Sequence, residues 1–367
     1  MTNFWDFSSW GFFNLVAVLL ASLLAANMLK RSIPLLEKSL IPTSVLGGGI
    51  LLIISATYNA ISGEEMFDTA FFGGNGSAWL ELITYHMLAL GFTASALKSS
   101  NSKMTKERST EIFNTGLTTV ATYLLQAFVG MIICIVASIF LKDLLEASGL
   151  LLALGYGQGP GQAMNYGGIY ELDYGFVGGK SFGLTIAAMG FLSAAIGGVI
   201  HLNIMKKRGK LVLSKRTDGS LHTEAIESEN EIPMQESVDK MTIQLALIFV
   251  AYAAAYVIMR TLGNLLPGLR SVIYGFNFLL GVITATLTKL LLNFMREHGI
   301  INHKYTNNFL MTRLSNFFFD IMVVAGVAAI RLDILEDYWG IMVILGLVGA
   351  VITYMYNRMV AKILFPD

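Results

Sequence analysis

Residues 155–168 read GYGQGPGQAMNYGG, with glycine at 155, 157, 159 and 161 and a proline at 160. Glycines accept unusual backbone angles and leave N–H and C=O groups open to a ligand. Pro160 removes one donor and fixes φ, which helps to stop a half-helix. A helix broken here presents partial positive charge at one N-terminus and carbonyls at the facing C-terminus. That pairing suits a carboxylate and a sodium ion, and Gln158, Gln162 and Asn165 add uncharged donors and acceptors. A second set lies in LSNFFFDIMVV, where Asn316 and Asp320 stand at i, i+4 and share a helix face, with Ser315 beside them. An ionisable group within an apolar segment is expensive and is a functional candidate by default. Asp320 and Asn316 are therefore candidate sodium ligands. The competing reading of Asp320 is a bundle-facing or interfacial acid paired with a lysine or arginine. Thr93 and Ser95 are further candidates for polar lining, and His86 is either a proton carrier or a satisfied buried histidine.

Other chemistries find no residues. No Ser/His/Asp, paired-carboxylate or metal constellation stands out, so an enzyme is not expected. The alternating glycines lack dinucleotide-binding spacing, and YGFVGGKS has Tyr174 where a P-loop needs its first glycine. The single Cys134 sits in an apolar run and supports neither a disulfide nor a zinc site. A net charge of zero gives no sign of a nucleic-acid partner, and no cofactor beyond sodium as coupling ion is implied.

The elements that must hold these residues are membrane spans. Only 14% of residues are charged, against about 25% in soluble domains, and the mean hydropathy is +0.63. The fold expected is an all-α polytopic membrane protein in a lipid bilayer. Apolar runs of about 20 residues predict nine spans, near 11–29, 43–61, 79–97, 112–141, 182–205, 241–259, 271–292, 314–330 and 339–361. Residues 206–240, rich in both charge signs, predict a flexible linker between a first membrane repeat, 1–205, and a second, 241–367.

Basic loops stay cytoplasmic. Lys30, Arg31, Lys38, Lys98, Lys106, Arg108, the linker lysines, Arg296, Lys304 and Arg313 share one side only if the glycine-rich stretch enters and leaves from the other. A re-entrant hairpin near 149–168 is therefore expected, with the N-terminus outside and the linker inside. Five true spans then precede the linker, so the halves enter the membrane in opposite senses, the inverted-repeat architecture of many secondary transporters.

The stretches IPTSVLGGGILL, LLLALGYGQGPGQAMNYGGIYE and FGLTIAAMGFLSAAIGGVIHLNIMKKRGK, with LSN opening the eighth span, resemble the bacterial sodium/glutamate symporter family over nearly the whole chain. The resemblance implies a homodimeric symporter of the bacterial inner membrane. It would carry glutamate or a related amino acid with sodium by an elevator-like motion. Carried over by position, Gly157, Gln158, Gly159, Pro160, Gly161 and Gln162, supported by Asn165, would face substrate and ion. Gln158 and Pro160 stand where that family often has a histidine and a threonine, so other carboxylates stay candidates. The repeat logic expects a second hairpin near positions 375–400, past Asp367. The second repeat is thus expected to be incomplete, with four spans, and transport by these 367 residues to be weak or absent. The alternatives are a 2-hydroxycarboxylate carrier and a shortened, non-transporting membrane scaffold.

Overall fold

The computed structural model describes residues 3–99, 105–208, 231 and 238–364. Most of the expected linker, 206–240, lies outside the described residues. The long helices are α1 (Phe7–Ser32), α2 (Thr43–Ser62), α3 (Gly76–Leu97), α4 (Lys106–Ser138), α5 (Leu151–Gln158), α6 (Pro160–Tyr174), α7 (Gly179–Lys207), α8 (Lys240–Leu265), α9 (Asn277–Glu297), α10 (Asn308–Ala328) and α11 (Trp339–Leu364). Among the described residues there is no strand, only an isolated bridge between Glu231 and Lys304. All of these helices except α5 and α6, nine among the described residues, are long and apolar enough to cross a membrane. The chain is an all-α, multi-pass membrane protein.

The nine helices fall on the nine hydropathy runs, with two instructive offsets. Helix α4 starts at Lys106 rather than 112, because Thr105 caps it by accepting from the Arg108 N–H at 3.3 Å. Hydropathy registers the apolar crossing and misses this polar first turn. The run at 271–292 is instead a short helix, Arg270–Gly275, a break at Phe276, and then α9. Continuous apolarity across 271–292 hides that break.

Burial in each span follows a narrow stripe. In α1 the buried residues are Gly11, Leu15, Leu19, Ser22 and Ala26, spaced by three or four, while Leu20, Leu24 and Met28 are exposed. Such a helix meets protein on one face and offers its other apolar side chains to lipid.

The chain divides into two compact units that cut across the two chain halves. Unit one is drawn from Met1–Tyr85, Met104–Leu211 and Ile321–Asp367, and unit two from His86–Lys103 and Val212–Asp320. In unit one, α11 packs against α4 and α7, so the last helix of the chain belongs with helices of the first half. Its core includes Leu151, Leu152, Phe182, Leu184 and Ile186, all fully buried. In unit two, Leu90, Ala94, Ile248, Ala285, Met311 and Phe318 form one apolar cluster. Lys289 donates to the carbonyls of Ala96 and Lys98 at 3.0 and 3.1 Å, capping the end of α3.

Candidate functional site in the broken helix pair

Helix α5 stops at Gln158 because Gly159 adopts φ 78°, ψ −169°, a backbone region open essentially to glycine alone. Pro160 then opens α6 at a position where its missing N–H costs nothing. Gly175, at φ 69°, ends α6 with a left-handed cap.

The pair folds back on itself. Gly155 and Ala163, four residues before and four after Gly159, both lie on the same stretch of α7. A Cβ on Gly155 would stand 2.9 Å from the Ala187 nitrogen, and Gly183 packs on the Ala163 carbonyl. The two outer ends of the pair meet at one residue. The Tyr338 hydroxyl donates to the Asp143 carbonyl at 3.1 Å, before α5, and its ring packs on Phe176, after α6, at 5.5 Å. The break lies away from that open end. Ser148 bonds Cys134 of α4 at 3.4 Å, and the Gly157 carbonyl accepts from the Tyr123 hydroxyl at 2.9 Å. Eleven residues of α4 separate those levels, roughly 16 Å at ~1.5 Å per residue. That is about half of a ~30 Å hydrocarbon core.

The break is polar and incompletely satisfied. Gln162 is fully buried, and its Nε2 has no hydrogen-bond partner; the buried Oε1 of Gln158 has none either. Asn165 donates to the Gln162 Oε1 at a long 3.4 Å. Buried polar groups are nearly always bonded, so two orphans flanking one turn call for an explanation. An amide presents its donor or its acceptor by a half-turn of its last bond. Together Gln158 and Gln162 can therefore meet an anion or a cation, beside the free N–H groups that open α6 and the carbonyls that close α5. The surrounding helices fix the tip. A Cβ on Gly326 of α10 would lie 2.9 Å from the Pro160 Cβ, so the missing side chain makes the seat for the proline. The Tyr156 hydroxyl reaches Ser193 at 3.0 Å and the Gly346 carbonyl.

The hairpin candidates Gly157 to Gln162 and Asn165 thus stand together in unit one. Thr93, Ser95, Ser315, Asn316 and Asp320 belong to unit two. There Ser315 is buried and donates to the Gly91 carbonyl at 2.9 Å, whereas Asn316 and Asp320 are exposed. The structure parts Ser315 from the Asn316/Asp320 face because adjacent helical residues point about 100° apart. Thr93 is fully buried, donates to the Ala89 carbonyl at 2.7 Å and fills the space left by Gly281, while Ser95 is half-buried. His86 lies 3.0 Å from the Tyr252 hydroxyl through Nδ1. Among the described residues no three His, Cys, Asp or Glu gather as metal ligands.

Charge-based reasoning missed a cluster at the open end of the hairpin. Lys180 bonds Glu81 at 2.8 Å and Glu171 at 3.5 Å, and Arg331 bonds Glu65 at 3.1 Å and Asp333 at 3.2 Å. The signal was available. The topology expected from the sequence leaves only Lys142, Lys180, Arg260, Arg270 and Arg331 as basic residues on the outer side, so Lys180 and Arg331 stand out there.

Comparison with family models, curated proteins and solved structures returns no match for this chain.

Proposed function

We propose that this membrane protein is a secondary transporter that binds a small carboxylate, glutamate or a related amino acid, together with sodium at the break of the hairpin. The observation that carries the reading is the pair of unpartnered amide atoms of Gln158 and Gln162 at a turn sunk about midway along the neighbouring helices. Irregular backbone at membrane depth is tolerated where it is buried in protein or lines a wet cavity, and broken helices at that depth are how many transporters hold substrate and ion. The motif resemblance supplies glutamate, sodium, a homodimer and an elevator-type motion as the specific form. Asn316 and Asp320, exposed on one face of α10, are candidate sodium ligands within unit two.

The test is equilibrium binding of L-glutamate to the purified chain in sodium chloride and in choline chloride, with aspartate, malate and citrate as competitors. Binding at least ten-fold tighter in sodium, and lost when Gln158 and Gln162 are replaced, supports the proposal. Preference for malate and citrate moves it to a 2-hydroxycarboxylate carrier. The absence of any sodium-dependent component of binding for all four ligands overturns it and favours a non-transporting scaffold.

A further inference from the structure

A cavity of about 410 Å³ opens where the hairpin enters and leaves unit one, lined among others by Ser77, Glu81, Glu171, Lys180, Ser181 and Arg331. Its size falls within the range of small-molecule sites. Among the described residues, the charges in and beside its wall are two cations, Lys180 and Arg331, against four carboxylates, Glu65, Glu81, Glu171 and Asp333. Lys180 is shared between Glu81 and Glu171, and Glu171 also accepts from the Lys180 backbone N–H at 3.0 Å. Arg331 uses one nitrogen, Nη2, for both Glu65 and Asp333, while its Nε is covered and has no acceptor. Its backbone N–H is tied to the Ser181 hydroxyl at 3.1 Å, which fixes the base of the side chain at the cavity wall.

We infer that this cavity is a binding site for a free α-amino acid in its zwitterionic form, separate from the hairpin break. A simple anion would have to draw Lys180 or Arg331 away from carboxylates that then face it unpaired. A simple cation answers the surplus of carboxylates but leaves the covered Arg331 Nε without an acceptor. A zwitterion meets both needs, its ammonium going to the carboxylates and its carboxylate to Arg331. Its carboxylate takes Arg331, which on rotating offers Nε and a terminal nitrogen side by side in the bidentate fork that guanidinium favours. Its ammonium takes the carboxylates of Glu81 and Glu171, and Lys180 shares in both sets. The existing ion pairs permit that exchange, because their side chains are between 26 and 41% exposed except Glu65 at 19%, and pairs so exposed to solvent are weakly held. Val177, Ala329 and Ile334 give the amino acid's side chain an apolar wall. The site stands whether or not the chain transports anything.

The experiment is isothermal titration of the purified full chain in choline chloride, without sodium, using L-alanine, propionate and ethylamine. Alanine should bind at least ten-fold tighter than either single-charge analogue, and Arg331→Gln and Glu171→Gln should each weaken it ten-fold or more. The ranking of the three ligands on the unsubstituted chain needs no variant to fold. Equal binding of alanine and propionate, undiminished binding by both variants, or no binding of alanine at all overturns the inference. Those results leave sodium-dependent binding at the hairpin untouched, so the two claims fail separately.

Discussion

Gln162 is fully enclosed, yet its amide nitrogen has no acceptor. A buried polar group left unbonded costs about 1–3 kcal/mol, so a side chain chosen for folding alone would be apolar. Gln162→Met keeps the length and volume and removes that cost; the long bond from Asn165 is the only described contact it gives up. The expected outcome is a melting temperature in detergent that is unchanged or raised, with sodium-dependent glutamate binding reduced ten-fold or more. Intrinsic fluorescence and titration measure the two. A lowered melting temperature with binding intact would make Gln162 part of the scaffold.

At the scale of the elements, the hairpin depends on close approach, and Gly326 provides the seat for Pro160. Gly326→Val drives two methyl groups toward a rigid ring, and overpacking of this kind costs about 1–3 kcal/mol. The matched control is Gly49→Ala on α2, where an added Cβ meets nothing within 4 Å and the helix gains from losing a glycine. Thermal unfolding should fall for the first and hold or rise for the second; equal effects would show that Pro160 is not seated there. The helix break was legible in the sequence, because alternating glycines with a proline mark it. The face each candidate presents was not. Ser315 and Asn316 are neighbours in one motif, but packing of α10 against the Gly91 turn takes Ser315 inward. Glu81, Lys180 and Arg331 lie near span ends, where charge is ordinary, so no single position announces their convergence. The compact units escaped as well, since hydropathy counts crossings and carries no information about which helices pack together.

At the scale of the whole molecule, two features tie the chain's segments to their places. Glu231 is the one described residue between 209 and 237, and it is nearly fully buried. It meets Lys240 at 2.9 Å, Asn307 at 2.6 Å and Lys304 at 3.7 Å within unit two. Lys240 is equally buried, and removing one partner of such a pair costs about 3–5 kcal/mol because the other charge stays enclosed. Glu231→Gln should therefore lower the melting temperature sharply, and Glu231→Leu with Lys240→Met should restore most of it; no loss in the single variant would mean that the pair is not enclosed. The second feature is the sidedness of the spans. Basic residues fill the last turns of α1, α7 and α9, where Lys30, Arg31, Lys206, Lys207 and Arg296 complement the helix dipole, and the tendency of basic loops to stay inside predicts that these ends are cytoplasmic. On the expected topology the chain makes two crossings between Asn75 and Val177, α3 and α4, plus a hairpin that returns to its own side, so both positions should face outward. Between Val177 and Ile300 it makes three, through α7, α8 and α9, so Ile300 should face inward. With buried Cys134 replaced by alanine, Asn75→Cys and Val177→Cys should react with an impermeant maleimide on intact cells, and Ile300→Cys only after permeabilisation. All three positions are exposed. Labelling of Asn75→Cys and Val177→Cys from opposite sides would mean that the broken helix crosses the membrane, and the two amide side chains would then line a through-path instead of a blind turn.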